Sequence, residues 1–244
     1  MKLLKILIVL MMIPVLAWGA SSSDHTEPTS PEVDYGSGTS LDDFAQLSMA
    51  VWVKVEVNQD NADGVMGKNP KFLDITGGEA GCANTSSFRF GATRSDGFEC
   101  WVAADNTVPV GVWKHIVATI DTNDTGDNAL FYLDGVSVSV NKEVERAGTM
   151  GADADNNLLS PGADFEGQFN FPMYYNRELS ALEASEIRWK PEMIPSGRFL
   201  LGAHWTGASP TDDLSGNGNT GTWAADVTTS TDGPPVMFGS GLPL

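Results

Sequence analysis

Short apolar alternations separated by Gly, Asp and Asn recur along the chain from Leu47 onward. In the segment 48–57, Met and Val occupy every second position and Lys54 and Glu56 lie between them, which is the period of a strand with one buried face. Similar segments occupy residues 87–91, 98–103, 113–121, 129–140 and 165–175. Strands of this length, divided by turn residues, predict an all-β, two-sheet antiparallel sandwich.

Two local signals add detail to this pattern. Asp134-Gly135 stands between alternating apolar residues and predicts a tight hairpin, because both central residues of that turn need positive φ. Ser180 and Glu183 form a capping-box pattern, which predicts one short helix that begins at Ala181 and ends before Pro191.

The N-terminus has the pattern of a secretory signal peptide. Lys2 and Lys5 flank the start of an apolar run that ends near Leu16, and Ala17 and Gly19 are the small residues that signal peptidase requires. We expect residues 1–19 to be the signal peptide, residues 20–40 a flexible linker and residues 41–244 the folded domain. The protein is then extracellular, secreted or at the cell surface, without stable membrane insertion after signal cleavage. A signal retained as an N-terminal anchor is the alternative.

Charge and cysteine content narrow the choice of partners. The chain has 14 Lys and Arg against 32 Asp and Glu, a net charge of −18, so we expect no nucleic-acid binding. Cys82 and Cys100 are its two cysteines. In an oxidising compartment we expect them to form one disulfide.

Three stretches in this order resemble the laminin G-like, concanavalin A-like jelly-roll domains. They are Trp113-Lys-His-Ile-Val-Ala-Thr-Ile-Asp121 followed by Leu130-Phe-Tyr-Leu-Asp-Gly135, the strand and helix from Phe165 to Glu183, and Asp213-Leu-Ser-Gly-Asn-Gly-Asn219. The resemblance covers about residues 41–225 and implies a two-sheet antiparallel jelly-roll sandwich with one short helix.

The position of the third stretch departs from the family pattern. In many members it precedes the sandwich strands, whereas here it follows the helix. One interpretation is a circularly permuted domain, in which residues 198–205 supply a strand that the N-terminus usually provides. The other is a truncated second copy. We favour permutation, because about 55 residues are too few to bury a second sandwich core.

The sequence offers little support for catalysis. The glucanases of this fold carry a Glu-x-Asp-x-x-Glu run, and the chain has none. His115 alternates with apolar strand residues, and we interpret it as a structural residue. We therefore predict no catalytic residues and no enzymatic activity.

Calcium is the cofactor that the resemblance implies. Laminin G-like domains often hold this ion at a loop rim through an Asp, carbonyl groups and waters, since Ca²⁺ takes several oxygen ligands. The candidates by location are Asp153, Asp155, Asp212 and Asp213, and a solvated turn residue is the alternative reading for each.

Sugar binding needs exposed aromatic faces beside hydrogen-bonding groups, because one face of a pyranose is apolar and its hydroxyls are not. Trp101, Trp189, Trp205 and Trp223 are the candidates, with core packing as the competing explanation. We therefore expect a secreted, non-enzymatic module that binds a glycan or a cell-surface glycoprotein in adhesion. The alternatives are a structural protein that decorates a cell or virion surface, and a glycoside hydrolase without the usual carboxylate motif.

Overall fold

The chain folds into two antiparallel β-sheets packed face to face, with one helix on the outside. The computed structural model describes residues 22–25, 33–58, 62–76, 82, 86–121, 129–153, 158–159, 165–190, 199–202, 213, 215–223 and 228–235. This architecture confirms the predicted two-sheet sandwich.

Sixteen strands and one α-helix lie within the described residues. In chain order the strands are β1 Ser22–His25, β2 Val33–Asp34, β3 Gln46–Val55, β4 Ala62–Lys68, β5 Lys71–Thr76, β6 Ser87–Arg94, β7 Gly97–Ala103, β8 Lys114–Asp121, β9 Leu130–Leu133, β10 Val136–Val138, β11 Val140–Val144, β12 Leu158–Leu159, β13 Gly167–Tyr175, β14 Phe199–Gly202, β15 Thr222–Trp223 and β16 Thr228–Ser230. The helix α1 is Ala181–Trp189, and a short 3-10 turn spans Thr39–Leu41.

The strands divide equally between the sheets. Sheet A has the order β10-β9-β8-β3-β13-β1-β16, and β14 also pairs with β13. Sheet B has the order β11-β7-β6-β5-β4-β12-β2-β15. Strands β10 and β11 follow each other in the chain, but β10 is an edge strand of sheet A and β11 is an edge strand of sheet B. The chain therefore crosses from one sheet to the other between them.

Sheet A is buried on both faces. Met49, Val51 and Val53 of β3 point into the main core between the sheets, as their alternation predicts. Ala50 and Trp52, on the opposite face of the same strand, lie in a second apolar cluster with Ala184 and Ile187 of α1. The helix therefore covers the outer face of sheet A.

Helix α1 and the β9–β10 hairpin form as the local signals predict. The Oγ of Ser180 accepts a hydrogen bond from the N–H of Glu183, and the Glu183 carboxylate accepts one from the N–H of Ser180. In the hairpin turn, Asp134 has φ 53° and Gly135 has φ 78°. A Cβ on Gly135 would lie 2.9 Å from the Cα of Ser185, so glycine also lets the hairpin approach the helix.

Part of the region expected to be a linker, residues 20–40, lies in the sheets. Strand β1 pairs with β13 and with β16, and β2 pairs with β12 and β15. The prediction considered only apolar side chains, whereas a strand paired on both sides is also held by backbone hydrogen bonds, which do not depend on residue type.

The strands after the helix complete the same sandwich. Strand β14 pairs with the end of β13 at Met173–Tyr175, and β1 pairs with its beginning at Gly167–Phe169. Both therefore lie along one edge of β13, while β3 occupies the other edge. The arrangement agrees with the permuted interpretation, in which a segment after the helix supplies a strand of the sandwich.

The predicted disulfide joins Cys82 to Cys100 of β7, whose Cα atoms are 6.2 Å apart. Strands β6 and β7 pair as the expected hairpin. As for membrane spans, none of the helices in the described residues is long and apolar enough to cross a bilayer.

His115 of β8 is buried beneath α1, where its ring lies 5.3 Å from that of Trp52. Neither ring nitrogen has a hydrogen-bond partner among the described residues. Burial lowers the pKa of His115 from 6.5 to about 3, against the smaller upward effect of Asp134. The imidazole is therefore neutral in the folded protein.

We expect this histidine to make stability depend on pH. Below pH 6.5 the unfolded chain takes up a proton at His115 that the folded chain does not, so stability falls as pH decreases toward 3, by up to about 1.4 kcal/mol per pH unit. Urea titrations of wild type and His115→Phe between pH 7 and 5 measure this loss. Equal pH dependence in the two proteins would contradict the prediction.

Candidate functional site

The outer faces of the two sheets differ in what covers them. On sheet A the helix buries Trp52, Val117 and Met173. No described helix lies on sheet B, where Phe72 and Phe98 are half-buried and Thr93 is exposed. We call this outer side of sheet B the open face. Thr93 is exposed there and Phe72 and Phe98 are partly exposed, whereas Asp74, Cys100 and Val102 on the same side are buried.

Strand register lines up a row of residues across the open face. Gly91 of β6 is paired with Cys100 of β7 on one side and with Phe72 of β5 on the other, and Phe72 is paired with Gly67 of β4. Residues directly opposite each other in antiparallel strands share a face. The same register continues the row to the far edge of sheet B. Its backbone positions there are Leu159 of β12, Asp34 of β2 and Thr222 of β15.

The two glycines of this row leave space that aromatic rings occupy, because glycine has no Cβ. A Cβ on Gly91 would lie 2.7 Å from Cε2 of Phe98, and a Cβ on Gly67 would lie 3.0 Å from Cδ1 of Phe72. Any other residue at Gly91 would have to displace the Phe98 ring. The pairs Gly67–Phe72 and Gly91–Phe98 together form the aromatic platform of the open face.

Charged groups flank the platform. The Nε of Arg89 donates a hydrogen bond to Oδ2 of Asp74 at 3.0 Å, and another guanidinium nitrogen donates to the carbonyl of Cys82 at 3.3 Å. The Arg89 Cζ lies 5.5 Å from the centroid of the Phe98 ring, within cation–π range. The platform thus has hydrogen-bonding groups beside its rings, which is the combination that binds sugars.

Asp153, a predicted calcium ligand, lies at one rim of the sandwich in a network of ion pairs. Its Oδ2 accepts a hydrogen bond from Nζ of Lys71 at 2.7 Å, its Oδ1 accepts from the N–H of Asp43, and its carbonyl accepts from Nζ of Lys68 at 2.6 Å. Lys68 also pairs with Asp42 at 3.1 Å. We call these five residues the rim cluster.

Each lysine of the rim cluster is paired with a carboxylate. Asp153, Lys68 and Lys71 are fully or almost fully buried. The hydrogen bonds from Asp153 and then the two lysines lower the pKa of Asp43. Both carboxylate oxygens of Asp153 are engaged by protein donors, so an ion there would compete with the ammonium group of Lys71.

Asp213 organises the loop that contains it. Its Oδ1 accepts from the N–H of Ser215 at 2.9 Å, and its Oδ2 accepts from the Ser215 hydroxyl at 2.7 Å and from the N–H of Asn219 at 3.0 Å. The Asn219 Oδ1 in turn accepts from the hydroxyl of Ser40 at 3.0 Å. This carboxylate therefore holds the loop together and against the segment before β3.

The structure corrects the expectation that Trp101 stacks on a ligand. Its side chain points into the main core against Phe90, because it alternates with Cys100 and Val102 of the open face. Trp189 lies at the end of α1 on the opposite side of the sandwich, with the Arg188 guanidinium 4.3 Å from its ring centroid.

The remaining predicted residues lie at or beyond the limits of the described structure. Trp223 pairs with Val33 in sheet B, and its side chain lies outside the described residues. Trp205, Asp155 and Asp212 are wholly outside them. Among the residues that are described, no three His, Cys, Asp or Glu come together in a group that could hold a metal ion. Of the predicted tryptophans whose side chains the structure describes, Trp101 lies in the core and Trp189 at the end of α1, so these two do not share a surface.

Phe72, Phe98 and Arg89 are not among the residues predicted from the sequence, where tryptophans alone are the candidate stacking rings. A signal was available in the two glycines. Glycine inside a strand indicates that a side chain or another backbone approaches closely. The predicted pairing of segments 87–91 and 98–103 brings Gly91 and Phe98 into the same hairpin.

Comparison with known proteins identifies the fold family. Residues 28–185 match a laminin G family model described as the concanavalin A-like lectin/glucanases superfamily. A comparison with curated proteins found no match.

Two solved structures are similar to this chain. One is a provisionally named carbohydrate binding protein from Bacteroides ovatus, with a TM-score of 0.65 and 12% identity over 89% of this chain. This chain spans 61% of that protein's length. The other is a native heptameric SAP-like pentraxin from Limulus polyphemus, with a TM-score of 0.57 and 11% identity over 88% of this chain and 96% of the pentraxin. At these identities the likeness shows the fold alone.

We predict that the rim cluster stabilises the fold through its buried pair. Lys71→Met leaves the Asp153 carboxylate buried without its ammonium partner, which is expected to cost about 3–5 kcal/mol of unfolding free energy. Chemical denaturation measures this loss, and Lys71→Met/Asp153→Asn is expected to recover part of it. Glu145→Gln removes a surface ion pair and serves as the control, with an expected change below about 1 kcal/mol. A Lys71→Met protein as stable as the control would contradict the prediction.

Proposed function

The chain belongs to the concanavalin A-like lectin/glucanases superfamily, and from this we propose that it is a secreted, non-enzymatic carbohydrate-binding module that binds a glycan on the open face of sheet B. The observation that carries the proposal is the aromatic platform, in which the rings of Phe72 and Phe98 lie against Gly67 and Gly91, and Arg89 lies near the Phe98 ring. A similar solved structure bears a carbohydrate binding name, which supports the ligand class.

The platform suits the two-sided chemistry of a sugar ring. The apolar C–H face of a pyranose packs against aromatic rings, while its hydroxyl groups need donors and acceptors at the edge. Arg89 supplies guanidinium donors and Thr93, exposed on the same side of β6, supplies a hydroxyl. Because the row crosses several strands, it offers room for more than one sugar unit of a chain.

The export signal and the disulfide support an extracellular role. A signal peptide over residues 1–19 would deliver the domain to an oxidising compartment, where the Cys82–Cys100 bond is stable. A glycan or a cell-surface glycoprotein is then the partner in adhesion.

Binding is favoured over hydrolysis by the carboxylates of the open face. Asp74 lies on β5 and Asp34 on β2, with β4 and β12 between them. Three strand spacings of about 4.8 Å separate them by roughly 14 Å. Glycosidases need a carboxylate pair at about 5–9.5 Å. The Asp74 carboxylate also forms an ion pair with the Arg89 guanidinium.

We predict that the platform rings determine glycan affinity. An array of microbial, algal and animal glycans identifies the strongest ligand, and calorimetry with that glycan measures affinity. Phe72→Ala and Phe98→Ala are each expected to weaken binding at least about tenfold, since stacking and burial of one ring face contribute roughly 1.4 kcal/mol or more.

Two further variants test the geometry. Gly91→Ala keeps the Phe98 ring but forces it off the sheet, so it should also weaken binding while the fold persists. Leu182→Ala alters an exposed apolar residue of α1 on the other side of the sandwich and should bind as wild type. Unchanged affinity in all the platform variants would place the glycan elsewhere and refute the proposal. Release of reducing sugar from the bound glycan would refute the non-enzymatic part.

Calcium dependence remains a prediction. The Asp153 and Asp213 carboxylates are engaged by protein donors, and Asp155 and Asp212 lie outside the described residues. The platform itself offers rings and a guanidinium, which do not bind calcium. Calcium dependence predicts that EDTA lowers glycan affinity and that millimolar calcium restores it, as calorimetry in the two buffers would measure. Equal affinity in both buffers would contradict the calcium prediction and leave the platform proposal intact.

A further inference from the structure

The loop from Ser215 to Asn219 is anchored at both ends and exposed in the middle. The N–H groups of Ser215 and Asn219 both donate to the carboxylate of Asp213, at 2.9 and 3.0 Å. Residues 216–218, between these anchors, are exposed. A Cβ on either glycine of this segment would have no heavy atom within 4 Å apart from its chain neighbours. The middle of the loop can therefore change conformation without displacing its surroundings.

Asn217-Gly218 is the one Asn-Gly pair in the sequence. The side-chain carbonyl carbon of an asparagine and the backbone nitrogen of the next residue can close a five-membered ring, and a Cβ on that next residue hinders the approach. Glycine has no Cβ and adopts backbone conformations that other residues avoid. Gly218 has φ 79° and is surrounded by solvent, so nothing hinders ring closure at this pair.

We propose that Asn217 is a site of spontaneous deamidation, which converts it to aspartate and isoaspartate. The backbone nitrogen of Gly218 loses its proton and attacks Cγ of Asn217, the Cγ–Nδ2 bond breaks, and ammonia leaves. A succinimide then joins the two residues. Water opens this ring at Cγ to give aspartate, or at the backbone carbonyl carbon to give isoaspartate, in which the main chain runs through Cγ.

Isoaspartate changes the length of the loop between its anchors. The main chain gains one CH₂ group, which is about 1.5 Å for one carbon–carbon bond. The Asn219 N–H then no longer fits at 3.0 Å from the Asp213 carboxylate. The hydrogen bond from Nδ2 of Asn217 to Oγ of Ser215, 3.0 Å long, is lost together with the ammonia. Deamidation therefore opens the loop from within.

Asn219 transmits this change to the rest of the domain. Its Oδ1 accepts a hydrogen bond from the hydroxyl of Ser40 at 3.0 Å and lies where a Cβ on Gly38 would be 2.8 Å away. Three residues later, Thr222 of β15 pairs with Asp34 of β2. We expect isoaspartate formation to loosen residues 38–40 and the edge of sheet B that β15 forms. This modification does not depend on glycan binding.

Ageing of the purified protein at neutral and at mildly alkaline pH tests the modification. Peptide mapping by mass spectrometry measures the change from amide to acid, and protein isoaspartyl methyltransferase labels isoaspartate. Asn217 is expected to react at least about tenfold faster than Asn106, an exposed turn residue that Thr107 follows, because only glycine lacks the Cβ. The rate should rise with pH, since the attacking nitrogen must lose its proton. Asn217→Gln is expected to stay unmodified, because its longer side chain would have to close a larger ring.

Hydrogen exchange measured by NMR tests the structural consequence. In the isoaspartate form the Asn219 amide is expected to exchange at least about tenfold faster than in fresh protein, because it loses its hydrogen bond to a carboxylate. Asn217→Asp carries the same charge without the additional CH₂ group and should exchange as fresh protein does. The proposal is overturned if Asn217 reacts no faster than Asn106, if Asn217→Gln ages in the same way, if the isoaspartate form keeps the Asn219 amide protected, or if Asn217→Asp loses that protection.

Discussion

Burial of both faces of sheet A is the constraint on which the other features of this structure depend. Its central strands β3 and β13 carry apolar residues on both sides, so one side needs sheet B and the other needs a second cover. Helix α1 supplies that cover with Ala184 and Ile187, and the β9–β10 hairpin approaches it through Gly135. Helix α1 is the one α-helix of the described residues, so no described helix covers the outer face of sheet B. On the outer face of sheet B, Thr93 is exposed and the Phe72 and Phe98 rings of the platform are partly exposed.

At the rim of the sandwich, charged side chains take the place of the apolar core between the sheets. Lys68, Lys71 and Glu99 occupy inward strand positions there and are buried. Buried charges are tolerated only with partners. Asp42 pairs with Lys68, Asp153 pairs with Lys71, and Arg94 pairs with Glu99. These ion pairs therefore hold the segments before β3 and β12 against the adjoining ends of β4 and β5.

Much of the fold could be predicted because its signals are local. The alternation in β3, the Asp134-Gly135 turn and the Ser180–Glu183 cap each depend on residues within a few positions of one another. The order of these elements was enough to identify the family. The strands within residues 20–40 escaped prediction, because their partners β13, β16, β12 and β15 are remote in sequence and the pairing uses backbone groups. The burial of Trp101 escaped prediction for a related reason: alternation shows that Trp101 and Phe98 lie on opposite faces of β7, but not which face meets the core.

The sequence alone therefore determined the class of fold, its hairpins and helix, the disulfide pair and the acidic charge that disfavours nucleic acid. The tertiary structure decided which face of each strand a helix covers, that Asp153 is satisfied by lysine, and that the rings of Phe72 and Phe98 lie against glycines. The physical reason is that a side chain's direction is set by its own strand, while its surroundings are set by register with strands and helices far away in the chain.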